Sequence, residues 1–130
     1  RIKNNIKEDV PGLSFISLLH PVTYNLDIHK QMAIRGKDVK QLGEWEGKYD
    51  IEKMKMTGFI AQDVEAAAKS IGYNFSGVDV PKNPNDMYGL RYSDFVVPLV
   101  KAVQEQQLLI TNQQKLIDEL LKRIVKLENK

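Results

Sequence analysis

The residue types that carry out chemistry in proteins are sparse in this 130-residue chain. The only two histidines, His20 and His29, are nine positions apart, and His20 directly precedes Pro21. Histidines in this arrangement are typical of structural or surface positions, so the sequence predicts no metal site. Asp63 and Glu65 fall in the first turn of a predicted helix, where the helix dipole stabilises acidic side chains without any catalytic role.

Composition excludes several further classes of site and partner. The chain has no cysteine, which rules out disulfides and thiol chemistry. It has no glycine-rich phosphate loop and no HExxH helix, so we expect no cofactor. A net charge of +2 is too small to predict a nucleic-acid partner on charge alone, and only Arg91 stands where a DNA-binding zipper needs a basic region. No run of about 18 apolar residues is present, so no membrane insertion is predicted.

The last third of the chain, residues 93–130, has the pattern of a coiled-coil helix. With Val96 at heptad position a, apolar residues occupy all but two of the a and d positions, and glutamine occupies those two. A helix of this length extends roughly 50 Å, further than a domain of this size can cover, so its apolar face requires other chains. We call these residues the seam: Val96, Leu99, Val103, Gln106, Ile110, Gln113, Ile117, Leu120, Ile124 and Leu127.

Positions beside the seam indicate how many chains assemble. The e and g positions also hold large apolar residues, namely Val100, Leu109, Leu116 and Leu121. An apolar stripe of this width exceeds what a two-stranded coiled coil buries. The two seam glutamines can hydrogen-bond one another at the centre and fix the register, at a cost in stability. The pattern predicts a parallel homotrimer, with a long helix folded back on its own domain as the alternative.

Residues 1–92 are predicted to form a small head. A short helix capped by Asp9 is expected to continue to Leu19 and to end before Pro21. A strand over 21–27 should pair with one over 53–60, across a long connection at Ile28–Asp50 that holds a helical turn or two near its start. A helix over 62–71 ended by Gly72 and a hairpin of 75–80 with 87–92 follow. The predicted fold class is α+β, with small β-hairpins and short helices followed by the long coiled-coil helix.

Three stretches of the sequence resemble one known family. They are the opening RIKNNIK, the segment GFIAQDVE at Gly58–Glu65, and the segment from Tyr92 to Ala102 that runs into the coiled coil. In this order they resemble the C-terminal intramolecular chaperone of endosialidase, found at the ends of phage tailspikes and tail fibres and in related bacterial proteins. That family is also classed as self-cleaving serine peptidases. The resemblance spans the chain from Arg1 to the coiled coil, and GFIAQ is its most specific part.

The resemblance implies an activity and a site. Members of the family assemble as trimers, help the preceding stalk or fibre to fold in register, and then cut themselves off beside a serine in a motif of the form S-D-x-x-x-K. By this match the catalytic lysine is Lys3, and the serine lies three positions before Arg1, outside the sequence. A lysine acts as general base only when burial or nearby cations lower its pKa, and Arg1 and Lys7 are candidate neighbours. Without the resemblance, Lys3 is interpreted as a solvated basic residue.

The resemblance therefore favours an intramolecular chaperone that forms a homotrimer, registers the fibre or stalk of its own precursor and is released by autoproteolysis at a Ser–Lys dyad. One alternative is a structural trimerisation tip that never cuts, and another is an adhesin head whose loops bind a receptor. We expect a virion tail fibre or a secreted or cell-surface bacterial protein rather than a free cytoplasmic enzyme. The first residue is not Met, so the chain is expected to be part of a longer protein.

Overall fold

Four α-helices and four short strands are found in residues 2–36 and 43–130, which this computed structural model describes. In chain order they are α1 (Leu13–Ile16), β1 (Val22–Tyr24), α2 (Ile28–Ile34), β2 (Met56–Gly58), α3 (Ala61–Ser70), β3 (Val78–Asp79), β4 (Gly89–Leu90) and α4 (Val96–Glu128). Single 3₁₀ turns lie at Asp50–Lys53 and Tyr92–Phe95. The predicted α+β class, with short hairpins, short helices and a long C-terminal helix, is confirmed.

The chain forms two compact units. One unit contains the N-terminal residues up to Ser17 together with Val96–Lys130, and the other contains Leu18–Phe95. The first unit therefore joins the two ends of the chain, and each unit has its own packing.

Two antiparallel strand pairs form the sheets of the Leu18–Phe95 unit. Strand β1 pairs with β2 in the register Val22 to Gly58, which confirms the predicted pairing across the long connection. Strand β3 pairs with β4 in the register Val78 to Leu90, so the predicted second hairpin is present but shorter than expected. Arg91 explains part of its stability, because its guanidinium donates two hydrogen bonds to the Asp79 carboxylate at 2.9 and 3.1 Å.

Helix α3 covers this unit with a narrow apolar face. Val64 and Ala68, one turn apart, are its buried residues. Gly72 ends the helix in a left-handed conformation with φ 66°, which lets the amide of Tyr73 donate to the carbonyl of Ala68. The predicted helix over 62–71 is confirmed, shifted by one residue.

The first predicted helix is much shorter than expected. It spans only Leu13–Ile16, its N-cap is Gly12 rather than Asp9, and Ser17 ends it by donating a hydrogen bond from its hydroxyl to the Leu13 carbonyl. The prediction of one helix from Asp9 to Leu19 is wrong because the apolar run serves both units. Phe15 is fully buried, whereas Leu18 and Leu19 line a small cleft of the Leu18–Phe95 unit with Phe59 and Val64.

Helix α4 begins at Val96 and continues for 33 residues. Pro98 lies in its first turn, where the missing N–H costs no helical hydrogen bond. From Gln106 to the end of the helix every residue is exposed. None of the helices in the part of the chain described combines the length and apolarity that spanning a bilayer requires.

Candidate functional site

Lys3, the predicted catalytic lysine, lies in an N-terminal arm, residues 2–10, that contains no helix or strand. Residues 2–9 of the arm are exposed, and no other described residue forms a hydrogen bond or ion pair with Lys3. Ile2 and Ile6 flank it and expose 98% and 65% of their surface. Arg1, one of the two cations expected near Lys3, is outside the described residues. A single chain therefore presents the lysine on an uncovered, partly apolar arm.

The predicted seam of α4 is exposed along its whole length. The solvent-accessible fraction of its apolar members ranges from 48% at Ile117 to 65% at Leu127. Gln106 and Gln113 are exposed in the same way. Within one chain nothing described covers this face, although large apolar residues are normally the most buried type.

One flank of α4, next to the seam, is occupied by α1. Helix α1 packs against α4, where Pro98 and Ala102 at heptad positions c and g are buried. Gly12 allows the close approach, since a Cβ at this position would lie 2.7 Å from the amide nitrogen of Ala102. The Glu105 carboxylate accepts a hydrogen bond from the Leu13 amide at 3.1 Å, which satisfies a free N–H at the start of α1. The contact of α1 with α4 thus uses heptad positions c and g, and the residues at positions a and d stay exposed.

Comparison with known protein families identifies the family of this chain. The model of the peptidase-type family described as chaperone of endosialidase matches residues 1–73, more than half of the chain. The chain belongs to the chaperone of endosialidase family. Membership supports a chaperone-type role with a self-cleaving domain of the serine-peptidase type. No curated protein and no solved structure matches the chain.

The endosialidase-chaperone match includes the arm with Lys3 and the segment GFIAQDVE, but not α4. In the structure, GFIAQDVE links β2 to α3 and contacts the start of the third motif. The amide of Phe59 donates a hydrogen bond to the Tyr92 hydroxyl at 3.2 Å, and the Phe59 ring stacks on Phe95 with centroids 5.1 Å apart. Phe75 meets Phe95 edge-on at 4.8 Å. These aromatic residues pack together in the core of the Leu18–Phe95 unit.

A cluster of three potential ligand groups lies at the start of α2 and was not predicted. Side-chain atoms of Asp27, His29 and Glu52 lie within 4.8 Å of one another. The Asp27 carboxylate accepts from the Lys30 amide, and the Glu52 carboxylate accepts from the Ile28 amide at 2.8 Å and lies 3.1 Å from His29 Nδ1. Desolvation raises the pKa of Glu52, but the hydrogen bonds from Ile28 and His29 together lower it below its usual value. The cluster acts as a cap that ties α2 to the turn at Asp50–Lys53.

A second unpredicted feature is the buried side chain of Lys48. Its ammonium lies 4.9 Å from the centroid of the Trp45 ring and 5.3 Å from that of Tyr49, and it donates a hydrogen bond to the Gly43 carbonyl. Cation–π contacts of this kind offset the loss of water around a buried ammonium. The sequence signal that could have predicted this contact is the presence of aromatic residues close to Lys48 in the chain. No local sequence pattern could have predicted the contact between Glu52 and His29.

Proposed function

We propose that this chain is a C-terminal intramolecular chaperone that assembles as a parallel homotrimer through α4, aligns the fibre or stalk of its own precursor, and is then released by self-cleavage. The exposed seam of α4 is the observation that carries this proposal. In functional terms the chain divides into a chaperone and peptidase head at residues 1–92 and a trimerisation helix at residues 93–130.

The exposure of the α4 seam supports a partner on this face. Its apolar members keep at least 48% of their surface accessible to solvent, although large apolar side chains are normally the most buried type. Apolar seam residues at a and d, with further apolar residues at e and g, favour burial of this face between copies of the same helix.

The chaperone role follows from the order of assembly. Long fibrous stalks offer many alternative registers, which slows folding and promotes misassembly. A C-terminal trimer raises the local concentration of the three stalk strands and aligns their ends. Cleavage after assembly makes the assembly of the stalk irreversible and leaves the stalk kinetically stable.

The cleavage chemistry needs the upstream serine and Lys3. The serine oxygen attacks the carbonyl carbon of the scissile peptide bond, the neutral lysine amine accepts the hydroxyl proton, and the leaving nitrogen takes a proton as the C–N bond breaks. Water then hydrolyses the acyl–oxygen ester. A lysine works in this way only in a site that lowers its pKa, and burial of the apolar residues beside Lys3 by the stalk or another copy would provide that site.

Two measurements test the proposal. Light scattering of the chain at micromolar concentration should return three times the monomer mass, and a monomer mass would contradict trimerisation. A chain extended upstream through the expected serine should yield a fragment on a denaturing gel. The fragment should disappear in Lys3→Ala and persist in Lys30→Ala, a control that removes an exposed lysine of α2.

The second candidate function is a structural trimerisation tip that never cuts. The exposure of Lys3 in the single chain favours it. A trimer in which the extended chain and its Lys3→Ala variant both remain full length would support this candidate over self-cleavage.

A further inference from the structure

A cleft of about 490 Å³ lies between the N-terminal arm and the first three turns of α4. Its apolar surface comes from Val10 of the arm and from Val96, Val97 and Val100 of the helix. Charged and polar residues form the rest of the lining: Lys7, Glu8, Lys101 and Gln104. Val97 is 58% exposed although it is a large apolar residue.

The heptad positions place this cleft on the flank of α4 opposite to α1. At 100° per residue, positions e and b follow a on one side of the helix, and positions g and c follow d on the other. Val100 and Val97 are at e and b, whereas the residues under α1, Ala102 and Pro98, are at g and c. The two flanks of the helix at this level therefore carry different surfaces, one concave and one covered by a short helix.

A parallel trimer brings these two surfaces together. In such a bundle the e flank of each helix faces the g flank of the next one. At the level of Val96–Glu105 that g flank is covered by α1, whose Leu13 and Ile16 remain partly exposed. We infer that the cleft between the arm and α4 of one copy is the docking site for α1 of the neighbouring copy. This inference rests on the proposed parallel trimer.

The inference accounts for the valine at position 97. Heptad position b points away from the axis of a simple coiled coil, and polar residues are preferred there. A docked α1 from the neighbour covers Val97 and adds a ring of contacts outside the seam. The chain also holds a matched residue, since Val125 is a valine at position b, is 53% exposed, and lies beyond the reach of α1 on the helix.

Thiol labelling distinguishes docking from a plain coiled coil. The chain has no cysteine, so Val97→Cys and Val125→Cys each introduce a single reactive group. In samples with the trimer mass, labelling at position 97 should be about tenfold slower than at position 125, because it requires local opening of the docked surface. The two rates should become equal in denaturant.

A charge at the same two positions gives an independent readout. Val97→Lys should shift trimer dissociation to a concentration about tenfold higher than in the wild type, as expected for a charge placed in an apolar contact, while Val125→Lys should leave it unchanged. Equal labelling rates, or equal dissociation of the two lysine variants, in a confirmed trimer would overturn the docking site but not the trimer. A monomeric wild-type chain would overturn both.

Discussion

The backbone at Gly58 lies directly beneath two aromatic rings. A Cβ there would collide with the Tyr92 hydroxyl and lie 3.3 Å from the Tyr24 ring. Tyr92 is held in place by its hydrogen bond to the Phe59 amide and by stacking against Phe95 at 5.8 Å. The glycine that opens GFIAQDVE is thus required by close packing, which gives a physical reason for its place in this motif.

Gly58→Ala should destabilise the Leu18–Phe95 unit by about 1–3 kcal/mol, because Tyr92 must move and give up its hydrogen bond. Gly89→Ala in β4 is the matched control, since a Cβ there would find only ordinary contacts at 3.7 Å and beyond. Urea unfolding, followed by circular dichroism of the aromatic residues, measures the free energy of unfolding of both variants. Equal stability of the two would show that the Tyr92 contact does not limit packing.

Glu65 links α3 to the segment before β4. Its carboxylate accepts hydrogen bonds from Lys69 at 2.7 Å and from the Tyr88 hydroxyl at 2.8 Å. The hydrogen bond from Lys69 lowers the pKa of Glu65 below its usual 4.5, and the one from Tyr88 adds to the effect. A lowered folded-state pKa means that this contribution to stability is complete above about pH 4.5 and is lost as the pH falls through the folded-state value.

Glu65→Gln should therefore flatten the loss of stability of the chain below pH 4.5 and lower the stability at pH 7 by the same amount, which is small because the Lys69 side chain is solvent-exposed. Thermal unfolding from pH 2.5 to 7 measures the effect. Glu46→Gln, at an exposed glutamate without a described ion pair, is the control and should leave the acid profile unchanged. A wild-type profile in Glu65→Gln would remove this carboxylate as a source of acid sensitivity.

Among the elements, α4 separates its contacts by heptad position. Positions c and g hold the buried residues Pro98 and Ala102, which pack within the chain, whereas a and d are exposed from end to end. A helix stabilised only by its own chain would bury its most apolar stripe, because buried apolar area is the main source of stability. In the described chain α4 instead leaves its most apolar stripe exposed, which is the observation behind the proposed trimer.

Gln113→Leu should raise the thermal midpoint of the proposed trimer, since a leucine at a d position would add apolar burial worth about 1.5–3 kcal/mol per chain. It should also weaken the specification of register and oligomer state that we propose for the two seam glutamines. The neighbouring amide gives the control, as Asn112→Leu changes an outward position c and should leave the midpoint near the wild-type value. Circular dichroism melts and light scattering report both effects, and equal midpoints would contradict the seam assignment.

For the whole molecule, the part of α4 beyond Glu105 contributes nothing to packing within the described chain. All of its residues are exposed, while Ala102 and Glu105, which contact α1 or its N-cap Gly12, precede it in the helix. Packing within the chain and the proposed assembly therefore use different parts of one helix.

A chain that ends at Glu105 should be monomeric and should keep the fold of its Leu18–Phe95 unit. Loss of seven of the ten seam residues removes most of the apolar area available for association. Light scattering gives the mass, and the aromatic signal of the Phe59, Phe75 and Phe95 cluster reports the fold. A trimer formed by the shortened chain would show that the head, and not the helix, provides the main interface.

The periodicity of the sequence alone determined the long helix, the position of α3 and the pairing of β1 with β2, whereas the seam of the long helix stays a prediction. These features follow from local patterns, because the spacing of apolar residues indicates which face of a helix or strand is buried. The sequence motifs also led to the family that the comparison confirmed.

Only the tertiary structure decided which distant residues meet. It brought Tyr92 to Phe59, Glu52 to His29, and Glu105 to Leu13. Helix α1 is shorter than predicted because the apolar run from Leu13 to Leu19 is shared between two units. The contact of α1 with α4 at positions c and g was likewise visible only in the structure. Such encounters depend on the path of the whole chain, and residues separated by tens of positions carry no local signal of their contact.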